Sequence, residues 1–139
     1  MAEVRDELER AFTEVLQALP LLAAYPLKVV PGSSPEDQED EFLRVTCVDA
    51  EHAAGGVYRV DMEITVVLEI AKMDAGTYEG RWFGGICRYF DSKTCPLRTY
   101  RDSGLAVFGY RVMGQEERRG GRQFAQTLRL KVGAAALGS

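Results

Sequence analysis

The sequence predicts an α+β domain, with one mostly antiparallel, twisted sheet of long strands packed against two helices. Three observations carry this. Residues 57–71 alternate apolar and polar side chains with period two. Apolar residues recur at helical spacing in two other stretches, 3–19 and 75–91. The chain has 139 residues, 46% hydrophobic and 27% charged. That suffices for a single domain of residues 1–139, with a core that needs no disulfide or metal staples.

The elements follow in order. In residues 3–19, Val4, Leu8, Phe12, Val15, Leu16 and Leu19 form one stripe, and Asp6, Glu7, Glu9 and Glu14 occupy the other face. Pro20 and Pro26 end this helix. Residues 27–31 suit a short edge strand. Residues 32–41 read as a loop by their turn residues. It holds the strongest acidic cluster in the chain: Glu36, Asp37, Glu39, Asp40 and Glu41. It lacks the central Gly and distal Glu of a calcium-binding EF-hand loop. Residues 42–48 predict a strand with Leu43, Val45 and Cys47 inward, and 49–56 a loop ending in Gly55-Gly56.

In 57–71, Tyr58, Val60, Met62, Ile64, Val66, Leu68 and Ile70 define one face. Arg59, Asp61, Glu63, Thr65, Val67, Glu69 and Ala71 define the other. The length corresponds to about 45–50 Å of strand, paired antiparallel with 42–48. Residues 75–91 predict a second helix capped by Asp74. Its apolar stripes are Tyr78, Trp82, Ile86 and Phe83, Cys87, Phe90. Gly76, Gly80 and Gly84 recur along it every fourth residue, a spacing that would let another backbone approach closely. Residues 105–114 predict a strand with Ala106, Phe108, Tyr110 and Val112 on one face. Residues 115–121 read as a charged hairpin loop. Residues 122–132 return with Phe124, Leu128, Leu130 and Val132 inward, and 133–139 read as a flexible tail.

The sequence offers no catalytic, cofactor or metal site. It contains no phosphate-cradling Gly-rich loop, no zinc-protease helix motif and no nucleophile elbow. Cys47, Cys87 and Cys95 are odd in number and widely spaced, which suits a reducing compartment rather than a disulfide framework. Cys47 and Cys87 read as core filler. The single histidine, His52, has no nucleophile signature around it. No apolar run reaches the roughly 20 residues of a membrane helix, and the polar start does not read as a secretory signal. The formal net charge of −4 argues against nucleic-acid binding by bulk charge.

Charge is divided along the chain. Residues 1–70 hold 15 acidic and 5 basic side chains, and residues 71–139 hold 6 and 12. A molecule bipolar in space as well would suit head-to-tail association into rings or filaments.

The order of elements resembles the tail terminator (tail completion) proteins of long-tailed bacteriophages. The matching pieces are the helix 4–19, the strand pair 42–48 and 57–71, the helix 78–90 and the hairpin 105–132. Closest is Arg-Val-Thr-Cys-Val followed by Tyr-Arg-Val-Asp-Met-Glu-Ile-Thr-Val-Val-Leu-Glu-Ile. The resemblance covers nearly the whole chain through its pattern of elements. It implies a structural virion protein in the tail or neck, assembled in the host cytoplasm. Such proteins form a ring, typically a hexamer, that stops tail-tube polymerisation and provides the head–tail joining surface. The implied partners are further copies of the chain, the tail tube protein and head–tail connector proteins. DNA would pass the lumen transiently without sequence specificity, and no membrane is involved. Candidate subunit or tube contacts are the acidic residues Glu36, Asp37, Glu39, Asp40 and Glu41, the strand residues Arg59, Asp61 and Glu63, and the basic residues Arg118, Arg119 and Arg122.

Other readings stay open at this point. Within the same class, the chain would be another head–tail connector or a tail tube subunit. A different class is a cytosolic ligand-binding α+β domain using Tyr78, Trp82 and Phe83 as a pocket. A third class is an enzyme of undetected type, in which Cys47, Cys87 or His52 would carry any thiol or imidazole chemistry and carboxylates such as Asp61 and Glu63 any acid–base work.

Overall fold

The computed structural model describes residues 2–24, 27–32, 41–69, 79–93, 95–99, 101–102 and 105–136. Helix α1 (Ala2–Leu16) is followed by a short helix α2 (Leu21–Ala24) and strand β1 (Lys28–Pro31). Strands β2 (Phe42–Ala54) and β3 (Val57–Glu69) form a hairpin. Helix α3 (Glu79–Asp91) leads to a 3₁₀ turn at Pro96–Thr99 and the two-residue strand β4 (Arg101–Asp102). Strands β5 (Leu105–Gly120) and β6 (Gln123–Ala136) close the domain. The strands lie in the order β1-β2-β3-β6-β5-β4. Every pairing is antiparallel except β1 with β2. This is the α+β architecture that the alternation and the two apolar stripes anticipate.

One face of the sheet carries the core. Leu43, Val45 and Cys47 of β2 lie beside Val60, Met62, Ile64, Val66 and Leu68 of β3, and Phe124, Leu128, Leu130, Val132 and Ala134 of β6. Leu8, Phe12, Val15 and Leu16 of α1 and Trp82, Ile86 and Phe90 of α3 cover them. Phe12 meets Phe90 edge-on, with ring centroids 6.0 Å apart. Two tyrosines tie the layers. Tyr89 Oη donates to Val15 O at 2.7 Å, joining α3 to α1. Tyr110 Oη donates to Phe90 O, joining β5 to α3.

The α1 stripe is buried as expected, with one correction: Glu9 belongs to the core side, only 5% exposed. The helix stops at Leu16, and turns carry the chain to the buried Leu19. Of the helix expected at 75–91, residues 79–91 are helical, and Asp74, Gly76 and Tyr78 lie outside the described residues. At Gly84 an added Cβ would meet only Arg88 Nη1, at 3.6 Å, so no second backbone approaches there.

Three strand boundaries differ from the sequence reading. The loop expected at 49–56 is mostly strand, since β2 continues to Ala54 and only Gly55 and Gly56 turn. Both glycines have positive φ, 57° and 81°, as a two-residue hairpin turn matched to strand twist requires. The loop expected at 115–121 is also strand, because β5 runs to Gly120. The tail begins later than expected. Residues 133–136 belong to β6 between β3 and β5, with Ala134 fully buried, and residues 137–139 lie outside the described residues.

Bulges explain why periodicity missed the extensions of β2 and β5. Pairing skips Val48 and Ala53 in β2, and Phe108 and Met113 in β5. Each extra residue reverses the phase of alternation. Ala106 and Phe108 therefore do not share a face with Tyr110 and Val112, contrary to the sequence expectation. Leu105 and Val107 point inward before the first bulge, and Tyr110 and Val112 pack against the core after it.

Candidate functional site

The helices cover one face of the sheet, so function has two places to reside: the helix-free face and the sheet edges. On β3 the helix-free face presents Arg59, Asp61, Glu63, Thr65 and Val67, since the residues between them are buried. Three of the expected contact residues, Arg59, Asp61 and Glu63, thus stand in one column.

Register brings β6 and β5 side chains beside that column. Asp61 pairs with Lys131 and Glu63 with Arg129. Lys131 Nζ lies 3.3 Å from Asp61 Oδ1. Arg129 reaches Glu63 at 3.7 Å and Glu116 at 3.0 Å. Thr65 and Thr127 hydroxyls meet at 3.1 Å. These ion pairs are largely exposed, a setting in which each contributes about 0–1 kcal/mol. Their effect is to neutralise the carboxylates locally. Arg59, Arg111 and Arg118 have no ion-pair partner among the described residues.

Two hollows mark this face. The larger, about 540 Å³, is lined by Val57, Arg59, Phe108, Arg111, Lys131 and Gly133 among others. Its floor exists because Gly109 and Gly133 are directly opposed across β5 and β6. With no side chain there, the Phe108 ring lies over Gly133. A Cβ on Gly133 would come within 2.6 Å of Phe108 Cε2. The smaller hollow, about 280 Å³, is lined by Glu63, Thr65, Glu116, Arg118, Ala125 and Thr127.

Among the described residues each outer strand of the sheet is only partly covered by a further strand, and on β2 the side chains of Glu9 and Arg5 cap Cys47 and Val48. Strand β4 covers β5 only at Leu105 and Ala106. Strand β1 covers β2 only from Phe42 to Val45. Among the described residues, β5 from Val107 to Gly120 and β2 from Thr46 to Ala54 have no second strand. The large hydrophobic side chains exposed among the described residues are Val48 (47%), Phe108 (63%) and Met113 (49%). All three are bulge residues, and all lie on these two open strands. Bulges blunt an edge against indiscriminate pairing, and here each also turns an apolar side chain outward. Beyond Val48 the β2 edge carries Asp49 and Glu51. The β5 edge carries Arg111, Glu116, Glu117 and Arg118, with Arg122 exposed in the turn that follows.

The remaining expected contact residues are dispersed. Glu41 Oε2 accepts a hydrogen bond from Glu69 N at 3.0 Å, which ties the start of β2 to the end of β3. Arg118 and Arg119 do not form a loop patch with Arg122. They are successive strand residues opposite Ala125 and Phe124. Glu36, Asp37, Glu39 and Asp40 lie outside the described residues. Sequence reasoning missed Phe108, Arg111, Lys131 and Gly133. The available signal was the pair Phe108-Gly109 and the lone Gly133 in otherwise apolar strands.

No family model matches the chain, and no curated protein matches it.

The residues considered for other chemistry are placed as follows. Cys47 and Cys95 are buried and all three thiols are free. Burial pushes the Cys47 thiol up to about 11, opposed by Arg5 and assisted by Glu9 and Asp49. Burial, with Asp91 nearby, also raises Cys87. His52 meets Tyr58 across the hairpin in a tilted ring contact, with centroids 5.0 Å apart. Five residues along one strand separate it from Cys47 by about 17 Å, too far for a thiol–imidazole pair. Trp82 is 1% exposed within the core, so it lines no open pocket. Among the described residues no cluster of three His, Cys, Asp or Glu side chains is poised for a metal. No described helix is long and apolar enough to cross a membrane.

Proposed function

We propose that this protein is a ring-forming structural component of a bacteriophage-like particle. It caps the head-proximal end of the tail tube, stops tube polymerisation and offers the surface for head joining. The observation that supports the ring is the pair of unlike edges that no further strand covers among the described residues. The β2 edge carries Val48 with Asp49 and Glu51, beside Arg5, and the β5 edge carries Phe108 and Met113 with Arg111 and Arg118, while its Glu116 and Glu117 are engaged by Arg129 and Gln126. A contact between unlike edges is heterologous, so it repeats from copy to copy and closes into a ring when the rotation permits. Opposite charge favours unlike over like edges, and the bulge side chains supply apolar area at the contact.

The position on a tail rests on the resemblance in element order, which also suggests six copies. On that reading the tube protein meets one face of the ring and the connector proteins meet the other. DNA crosses the lumen without sequence-specific contacts. A terminator stops at one ring, whereas a tube subunit continues into tubes by itself.

Particles produced without this chain test the reading. The expected product is tails of uncontrolled length without joined heads, seen by electron microscopy. Tails of normal length joined to filled heads overturn it. Spontaneous growth of the purified chain into long tubes replaces it with the tube-subunit reading.

A further inference from the structure

We infer that the groove over Gly109 and Gly133 is a receptor for the acidic segment Glu36–Glu41 of a neighbouring copy. The inference rests on the ring reading above, because it names the contact that joins adjacent subunits.

The groove has the chemistry for such a guest. Arg59 and Arg111 stand at its sides without ion-pair partners among the described residues. Phe108 is 63% exposed and offers an apolar wall. The β3 carboxylate nearest the groove, Asp61, is occupied by Lys131. The acidic segment offers five carboxylates within six residues, the densest run of charge in the chain. Two guanidinium groups without ion-pair partners among the described residues, beside an apolar wall, suit an acidic peptide, since arginine engages carboxylates through two parallel hydrogen bonds.

Topology decides whose segment can reach it. Gly32 N donates to Val45 O, so the segment leaves from the β1–β2 side of the sheet. It returns at Glu41, which is bonded to Glu69 N. Phe42 lies opposite Val67, and Arg59 stands eight residues further along β3. At strand rise this is about 27 Å from the returning end. Gly32 lies one residue beyond Pro31, level with Glu63 on β3. Arg59 is thus about 16 Å from the departing end, counting two strand spacings and four residues of rise. The backbone route out and back therefore requires about 43 Å. The chain between Gly32 and Glu41 spans at most about 31 Å when fully extended. The backbone of a subunit's own segment cannot lie in its groove, and that of a second copy can.

The two features also lie toward opposite sides of the sheet, the segment tethered at β1–β2 and the groove reaching β5. Each copy thus gives on one side and receives on the other, which is the arrangement a closed ring needs.

Two preparations of the full chain test the docking, both with Cys87→Ser and one carrying a size tag. One bears Gln38→Cys and the other Phe108→Cys. Mild oxidation of the mixture is expected to give a mixed disulfide dimer in preference to either like dimer. In parallel, Arg59→Glu with Arg111→Glu is expected to lower association by about tenfold or more, read by sedimentation with circular dichroism unchanged. Mixing that variant with Glu36→Lys, Asp37→Lys, Glu39→Lys and Asp40→Lys chains is expected to restore pairing. Rings that persist in the arginine variant, without a mixed dimer, overturn the docking and leave the ring reading standing. An unaltered chain that forms no ring, alone or on tail tubes, overturns both.

Discussion

Glu9 Oε2 accepts a hydrogen bond from Cys47 N at 2.8 Å, holding helix α1 against the edge of strand β2. One turn earlier, Arg5 Nη2 donates to Cys47 O at 2.8 Å and to Val48 O at 3.2 Å. Together the two side chains satisfy the edge backbone where β1 no longer covers it. They sit at the Val48 bulge, so α1 also fixes where the strand changes phase. Removing the carboxylate leaves a buried N–H without its acceptor, which costs about 1–3 kcal/mol. Glu9→Ala is therefore expected to lower stability by that amount in urea unfolding. Glu9→Gln keeps an acceptor oxygen and is expected to lose less. Equal losses for the two variants would place the effect in packing rather than in the hydrogen bond.

The same junction sets a response to alkali. Burial holds the Cys47 thiol neutral up to about 11, against an ordinary value of 9.0. The folded state thus favours the protonated thiol more than the unfolded chain does. The stabilisation is complete below pH 9 and is lost as pH rises through about 11. Unfolding midpoints measured from pH 8 to 11 should fall more steeply for the native chain than for Cys47→Ala. Thiol reagents at pH 8 should spare Cys47 until the domain unfolds.

Met62 and Leu130 are opposite each other at the centre of the sheet, each no more than 1% exposed. Leu130→Ala is expected to cost about 2–5 kcal/mol, measured by thermal or urea denaturation. A cost below 1 kcal/mol would mean that the core collapses around the deletion.

These cases separate what is local in the sequence from what is not. The period-two run through Val60, Met62, Ile64, Val66 and Leu68 names its own inward face because each residue alternates regardless of its partners. The stripe from Leu8 to Leu16 does the same at helical period. Glu9 sits among acids on an apparently solvated face, and its burial depends on Cys47 N, 38 positions away. The bulges at Val48, Phe108 and Met113 are likewise relations between strands, so alternation within either strand cannot show them. At the candidate site, alternation alone places Arg59, Asp61 and Glu63 in one column. The Arg118–Arg119 patch dissolves because β5 continues where charge suggested a turn. The Phe108 groove depends on two glycines in different strands that meet only after register is set.

That glycine pair gives a variant that separates folding from docking. A Cβ on Gly133 would lie 2.6 Å from Cε2 and 2.8 Å from Cζ of Phe108, and no backbone atom stands in its way. The ring is largely exposed and can swing aside, so Gly133→Ala is expected to change stability by less than about 1 kcal/mol. Replacing glycine also reduces the freedom of the unfolded chain, which offsets part of any strain. The displaced ring no longer walls the groove, so association between copies should weaken while circular dichroism and the unfolding midpoint hold. Gly32→Ala is the contrasting control. Its Cβ would meet Thr46 Oγ1 at 2.5 Å and Thr46 Cβ at 3.0 Å. A β-branched side chain fixed on a strand cannot yield as a free ring does, so this variant should lose about 1–3 kcal/mol. Sedimentation and urea unfolding of both variants side by side check the contrast. A Gly133→Ala chain that unfolds as readily as Gly32→Ala would show that Phe108 is clamped in place and serves the fold.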